Sequence, residues 1–361
     1  MRVTVTHPRE LGQPELSRWR ALQESDAAFD NPFLSPEFTA TVGELRDLVR
    51  VAVLYDGPDI VGFFPFERHP LGIGKPVAAG LPDAQGLVHA KGLDLDPRRL
   101  IKDCGLSVYE FDHLVAGQPL LGDGRHTVHP SPIIDLRDGY GPYTETLRTQ
   151  SGKTYKTTLA KSRKLQREAG PLRHDYATTD TGPLHTLLGW KTDQYRRTGR
   201  TDRFAHRWIV ELVERLLATQ SDSFAGVLDM VYVDDVPMAG HFGVRTRTTL
   251  AGWFPAYDTQ YAKFSPGLIH HLAMAESAAA SGVQVIDMGR GEKEYKDKLK
   301  NGQLEVAEGR VARAGVAAGV HWMMRVPVRK TRATVMANPL LLKTADKALK
   351  TYGRLRTVLQ G

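Results

Sequence analysis

From Trp253 to Asn301 the chain reads W-F-P-A-Y-D-T-Q-Y-A-K-F-S-P-G-L-I-H-H-L, then an alanine-rich helical pattern, then V-Q-V-I-D-M-G-R-G-E-K-E-Y-K-D-K-L-K-N. This is the order strand, tight helix start, helix, second strand, polar helix, a layout suited to a phosphate-bearing ligand. Ser265 is placed to cap the helix, Pro266 suits its first position because the missing N–H would be unpaired there anyway, and Gly267 admits a ligand close to the backbone. Free amides and the positive dipole end around Phe264, Ser265, Pro266, Gly267 and Leu268 would then form an anion site without a charged side chain.

Several nearby side chains could move protons or hold substrates. His241 lies on an apolar strand and, as an imidazole, titrates near neutrality; it is the leading candidate for general base, against the alternative of a core histidine bonded to a carbonyl. Asp258 and Asp287 each follow an apolar strand and compete for that role, although Asp287 could instead pair with Arg290 or cap the following turn. Arg290, Lys293 and Lys296 can meet phosphates or an anionic acceptor, or form a solvated face. Trp190, Lys191, Gln194, Tyr195 and Arg196 combine aromatic and polar groups as an acceptor site does, and as a core helix with a charged outer face also does. Three patterns carry no site. Gly152-Lys153-Thr154 lacks the earlier glycine of a phosphate loop, Gly289-Arg290-Gly291 lacks the third glycine of a dinucleotide fingerprint, and neighbouring His270 and His271 cannot ligate one metal from one helix face.

These residues need a scaffold, and 361 residues, 41% hydrophobic and 25% charged, suffice for two domains with cores. Disorder and fibre are excluded by that composition. No signal-peptide pattern opens the chain and no apolar run is long enough to span a bilayer, so a cytoplasmic protein is expected. The single cysteine, Cys104, excludes an internal disulfide or a thiolate zinc cluster and reads as a small buried residue; no metal is expected. The formal charge of +7 is concentrated. Nine Lys and Arg oppose one acid from Arg325 to Gly361, and a second basic run lies between Arg148 and Arg173 with only Glu168 opposing, which does not describe a general nucleic-acid surface and gives no sign of a DNA partner.

Two hairpin patterns stand out: Val49 to Phe66 around Asp56-Gly57, and Leu228 to Val244 around Asp234-Asp235. Laid without gaps at an offset of 178, Asp56 meets Asp234, Gly62 meets Gly240 and Phe64 meets Phe242, which suggests two copies of one α/β unit, with Phe63 standing where His241 stands. Chemistry is therefore expected in the second copy. Helices are predicted over 155–169, 186–197, 207–219 and 266–280, with Leu268, Leu272, Ala275 and Ala279 forming the apolar face of the last. Strands are predicted over 225–233, 238–244, 249–256 and 283–288. The expected domains are 1–145, non-catalytic; 146–325, carrying the site; and a basic helical tail over 326–361.

In this order and spacing, N-P-F-L-S-P-E-F (Asn31 to Phe38), W-K-T-D-Q-Y-R-R-T-G (Trp190 to Gly199), P-M-A-G-H-F-G-V (Pro237 to Val244), F-P-A-Y-D with K-F-S-P-G, and D-M-G-R-G-E-K-E-Y-K make a combined signature. The chain resembles the tandem acyltransferases of the GNAT superfamily related to the cellulose-biosynthesis-associated CelD/BcsL-type proteins, which share the architecture of the Fem aminoacyltransferases. The resemblance implies two tandem GNAT-like α/β domains with mixed central sheets flanked by helices. It also implies an acyl thioester, acetyl-CoA or another acyl-CoA, bound between two splayed strands with its pyrophosphate at the helix start near Pro266. Only Gly267 remains of the usual phosphate signature, so an acyl carrier protein or a charged tRNA stays open as donor. Tyr295 occupies the place of the helix tyrosine that often protonates the leaving thiolate in such enzymes; packing of its ring on the sheet is the alternative. A phenol stays protonated at neutral pH and can donate.

The leading expectation is acyl transfer to an amine of a sugar, polysaccharide precursor or amino-acid-derived metabolite. A Fem-like transferase using aminoacyl-tRNA, with the basic helix on RNA phosphates, is second. Third is a non-enzymatic adaptor of an exopolysaccharide machine, its tail lying on anionic lipid at the inner face of the membrane at roughly 1 kcal/mol per charge. If the tail holds lipid, the full chain floats with anionic liposomes and a chain lacking Thr331 to Gly361 does not; equal flotation, or none in either, ends that idea.

Overall fold

The computed structural model describes residues 1–121, 126–291 and 293–313. The basic tail expected over 326–361 lies outside the described residues. The strands are β1 (Arg2–Thr6), β2 (Val49–Asp56), β3 (Asp59–His69), β4 (Ile73–Lys75), β5 (Val88–His89), β6 (Val108–Val115), β7 (His126–Asp135), β8 (Leu172–Thr178), β9 (Ala225–Val233), β10 (Val236–Arg245), β11 (Thr249–Tyr257), β12 (Val285–Asp287) and β13 (Gly302–Ala312). They form one continuous mixed sheet in the order β1-β2-β3-β4-β6-β13-β7-β12-β11-β10-β9-β8, with β5 paired to β3.

Helices cover both faces. The helices α1 (Gln13–Glu24), α2 (Pro36–Leu45), α6 (Thr181–Thr198) and α7 (Arg207–Ala218) bury one apolar cluster that runs across both halves, from Trp19 and Phe63 to Phe242 and Trp253. On the opposite face α3 (Pro97–Asp103) covers the first half, where Cys104 is buried and its thiol is pushed up to about 12 by burial, so it is inert. The second half is covered there by α4 (Tyr140–Gln150), α5 (Gly152–Ala169) and α8 (Pro266–Ala280). The last helix among the described residues, α9 (Glu294–Leu299), is short and polar. α8 is buried nearly all round rather than on one stripe, which follows from its place between the sheet and α5.

The two hairpins form as predicted, β2–β3 and β9–β10, each with a two-residue loop, Gly57-Pro58 and Asp234-Asp235. Their registers correct the offset. Asp56 pairs with Asp59 and Val233 with Val236, so the hairpins superpose at 177 and His241 is equivalent to Phe64, not Phe63. A slip of one residue moves every side chain to the other face of a strand. Phe63 thus stacks on Trp19 beneath α1, while Phe64 and His241 occupy the opposite face.

Two strands tie the halves together. β13, the last strand among the described residues, lies between β6 and β7 of the first half, and β7 in turn pairs antiparallel with β12 of the second. The boundary expected between 145 and 146 falls inside α4. Asp30 of the first half also accepts hydrogen bonds from Thr246, Thr248 and Thr249 at the β10–β11 turn. Because β6 and β7 lack a common partner without β13, residues 1–145 expressed alone are expected to show no cooperative unfolding by circular dichroism, whereas residues 1–313 unfold cooperatively. A cooperative transition in the short fragment would refute this.

Candidate active site

The site opens where two parallel strands part. β11 and β12 pair over three rows, Thr249–Val285, Leu250–Ile286 and Ala251–Asp287, and then separate. Immediately after the last row, β11 carries a bulge: Phe242 pairs with Phe254 and Gly243 with Gly252, leaving Trp253 as the extra residue. Its N–H donates to Nε2 of His241 at 3.0 Å. Glycines flank this bond, where a side chain would be excluded at Gly243 and crowded at Gly252. A Cβ on Gly243 would lie 2.4 Å from the Ala251 carbonyl oxygen, and one on Gly252 3.1 Å from His241 Nε2.

A cleft of about 1000 Å³ lies at the parted strands. Trp253 to Tyr257 of β11, the start of α8, and Arg290, Lys293, Glu294 and Tyr295 line it from the second half, together with Lys191, Gln194 and Tyr195 of α6. The first half contributes Gly80, Leu81, Asp83, Asp112 and His113. The indole Nε1 of Trp253 donates to the Leu81 carbonyl at 2.8 Å, and Arg203 bonds the Gly80 carbonyl, so these walls are fastened to each other.

Of the expected donor-site residues, Ser265, Pro266, Gly267, Leu268 and Arg290 line the cleft, and Phe264 does not: it is buried in the core beneath α8. Ser265 adopts a left-handed conformation (φ 59°) and its side chain makes no capping bond; its hydroxyl instead accepts from Lys161 Nζ of α5 at 2.8 Å. The N–H groups of Leu268 and Ile269 both donate to the Ser265 carbonyl, so Gly267 is left to offer a backbone donor at the helix start. Lys161 therefore supplies charge that the amides alone do not. The Arg290 guanidinium holds the Asp112 carbonyl (2.9 Å) and the Glu308 carboxylate (2.8 Å), bridging the halves.

Three expected proton-transfer groups are corrected by their positions. His241 is buried away from the cleft lining, and burial with the neighbouring His270 and His271 holds it well below its ordinary value; it is neutral and its Nε2 is occupied by the bulge. Asp287 is buried with its carboxylate accepting from Gly289 N (2.9 Å), Ser131 Oγ (3.0 Å) and Asn31 Nδ2 (3.2 Å), and it faces no open space. Asp258 caps the short helix Thr259–Phe264, accepting from Gln260 N at 2.9 Å. Lys296 is likewise buried, its Nζ donating to the carbonyls of Gly289 (2.7 Å) and Arg290 (3.3 Å), a staple of the β12–α9 turn and not an acceptor contact.

Tyr295 does reach the cleft. Burial, with the nearby Asp83 charge, pushes its phenol up to about 12, so it carries its proton at neutral pH. Its ring lies 5.3 Å from that of His271, a residue set aside in the sequence as one of a histidine pair. His271 Nδ1 bonds the Gly267 carbonyl at 2.6 Å, which fixes the proton on Nδ1 and leaves Nε2 as a bare acceptor. Burial, then His270, lowers its value to about 4. Lys191 also lines the cleft, donates to the Pro255 carbonyl at 2.9 Å, and is lowered to about 8 by burial and then by Lys293, Arg200 and Arg203. Gln194 and Tyr195 also line the cleft, whereas Trp190 packs against the core. Among the described residues no group of His, Cys, Asp or Glu is placed to hold a metal ion. Asp83, Asp112, His113, Arg200 and Arg203 carried no motif; they reach the site only through the fold.

Residues 152–297 match the family model described as Acetyltransferase (GNAT) domain, two-fifths of the chain. No curated protein matches. Among solved structures the fold is similar to FemX (TM-score 0.56, 10% identity, 85% of this chain and 96% of that one). It is also similar to a conserved protein of unknown function from Bacteroides thetaiotaomicron (0.56, 12%, 86% and 99%). A third is the C-terminal domain (DUF2156) of a putative lysylphosphatidylglycerol synthetase from Agrobacterium fabrum (0.51, 11%, 86% and 95%). The GNAT match places the second half in the acyltransferase class. No described helix is long and apolar enough to cross a membrane.

The buried histidines set a pH dependence. Unfolded, His271 titrates at its ordinary value near 6.5, and folded at about 4, so between these the unfolded chain binds more protons. Its contribution to stability is present above pH 6.5 and is lost as pH falls toward 4. Comparing wild type with His271→Asn in urea at stepped pH, the difference in unfolding free energy should shrink across that window by on the order of a few kcal/mol. A pH-independent difference would contradict the assignment. At His241, replacement by alanine strands the Trp253 N–H and should cost roughly 2–4 kcal/mol at neutral pH.

Proposed function

We propose that the protein transfers an acyl group, acetyl in the simplest case, from a coenzyme A thioester to an amine of a sugar, polysaccharide precursor or amino-acid-derived metabolite. We place it, on the motifs quoted above, with the CelD/BcsL-type tandem acyltransferases. The observation that carries the reading is the parting of β11 from β12 at the Trp253 bulge, directly beside the α8 start and Tyr295. A parted strand edge leaves backbone groups free to bond an extended thioester arm, while Gly267 N–H, the α8 dipole and Lys161 favour its phosphates.

The chemistry is direct aminolysis. The amine attacks the thioester carbonyl, the carbon–sulfur bond breaks, and Tyr295 gives its phenolic proton to the departing thiolate. The His271 ring packs beside that of Tyr295 and helps fix its position. No covalent enzyme intermediate is required, in keeping with the buried, inert Cys104.

A specific feature favours a second reading. The α8 start offers few amides, and the FemX-like fold with the cationic α5 suits a charged tRNA as donor, for which binding falls steeply with salt. Isothermal calorimetry separates the two. Coenzyme A should bind wild type, and Gly267→Glu or Lys161→Ala should weaken or abolish it. Tyr295→Phe should leave binding intact and lower kcat roughly 10²-fold or more. Absent coenzyme A binding with salt-sensitive tRNA binding would instead install the second reading.

A further inference from the structure

The first half's wall of the cleft holds ionisable groups to which the reaction above gives no part. Asp83 sits on the loop between β4 and β5, and that loop is fixed at several points. Gln85 bonds β6 through its backbone (Gln85 N to the His113 carbonyl, 2.9 Å) and its side chain (Oε1 from the N–H groups of Asp112 and His113, each 3.1 Å; Nε2 to Asp112 Oδ1, 2.6 Å). Leu81 is held from the other half by Trp253. His113 spans two carboxylates, Nε2 lying 3.4 Å from Asp83 Oδ1 and Nδ1 3.0 Å from Asp112 Oδ1.

Gly289 of the second half completes the seat. Its φ is +74°, and a Cβ there would lie 2.2 Å from Asp83 Oδ2. The glycine therefore admits the Asp83 carboxylate against the β12–α9 turn, beside Tyr295. Lys191, Arg200, Lys293 and Glu294 stand on the α6 and α9 side of the cleft, and Asp83 and Asp112 on the first half's side, where Arg203 and Arg290 are held to the Gly80 and Asp112 carbonyls. A cation entering the cleft meets the carboxylates Asp83 and Asp112 on the first half's side.

We propose that Asp83 receives the ammonium of the acceptor and takes its proton, which makes the acceptor a cationic primary amine, an amino sugar in its simplest form, and makes the first half part of the active site. This rests on the acyl-transfer reading of the cleft. One proton passes from the ammonium to the Asp83 carboxylate. The neutral nitrogen then forms the carbon–nitrogen bond as the carbon–sulfur bond breaks. Tyr295 protonates the sulfur and recovers a proton from the nitrogen, and Asp83 releases its proton to water. A carboxyl raised to about 6 by burial, with Asp287 adding to the rise and His113, Lys296 and Arg203 opposing it, is ionised at neutral pH yet basic enough for this exchange.

The test uses D-glucosamine, with N-acetylglucosamine as the uncharged control, titrated calorimetrically into wild type, Asp83→Asn and Asp83→Glu at neutral pH. Wild type should prefer glucosamine, Asp83→Asn should lose roughly tenfold or more of that affinity, and Asp83→Glu should recover part of it. With acetyl-CoA as donor, kcat/KM for glucosamine should fall as pH drops through about 6, a limb missing in Asp83→Asn. Absent glucosamine binding, equal affinity for the two sugars, or unchanged affinity in Asp83→Asn overturns the inference. Asp83-dependent glucosamine binding in a protein that neither binds nor uses acetyl-CoA upholds Asp83 as the ammonium site and removes the coenzyme A reading alone.

Discussion

The bulge at Trp253 is the constraint on which the rest depends. An extra residue in β11 turns the strand away from β12 after three paired rows, and that divergence opens the cleft. Its unpaired N–H would be costly if left bare, and His241 removes the cost by accepting from it. The bond requires a neutral imidazole with a free Nε2 lone pair, which full burial among other histidines enforces. The same tryptophan reaches across to Leu81 with its indole, so one residue shapes the opening and sets the opposite wall.

That wall belongs to the first half, and its placement follows from strand exchange. With β13 between β6 and β7, and β7 against β12, the halves cannot move apart without breaking sheet ladders. Arg290 adds a further tie through the Asp112 carbonyl and Glu308. Two copies of one α/β unit thus share one continuous sheet, and the cleft forms at their junction.

The titratable groups divide by what surrounds them. Asp229 on β9 is buried beneath α8 between His174 and His270, and despite its desolvation those histidines hold its carboxyl well below the usual range. His241 and His271, one step further, have no such carboxylate in contact, and burial lowers both. Asp83, at the cleft, is raised by burial, which its loose pairing with His113 does not offset. Position, not residue type, decides which groups are locked and which can exchange protons.

Local order was legible in the sequence. Periodicity, the Pro266 helix start and the loop residues of two hairpins place α6 to α8 and β9 to β11 within a few residues, because those signals act over neighbouring positions. The cleft residues close to a motif, Ser265 to Leu268, Tyr295, Lys191 and Tyr195, were found for the same reason. What tertiary structure alone decided is longer in range. A strand register set by its turn moved His241 to the other face, and a bulge made it a backbone partner instead of a base. Asp287 became a fixed turn residue because Asn31 and Ser131 meet it from outside its own segment, while Lys296 folds back onto the Gly289 carbonyl within that segment. Asp83 and His113 came to the site from about two hundred residues away, through a loop with no motif, since a carboxylate's role is fixed by its neighbours in space and the chain order does not record them.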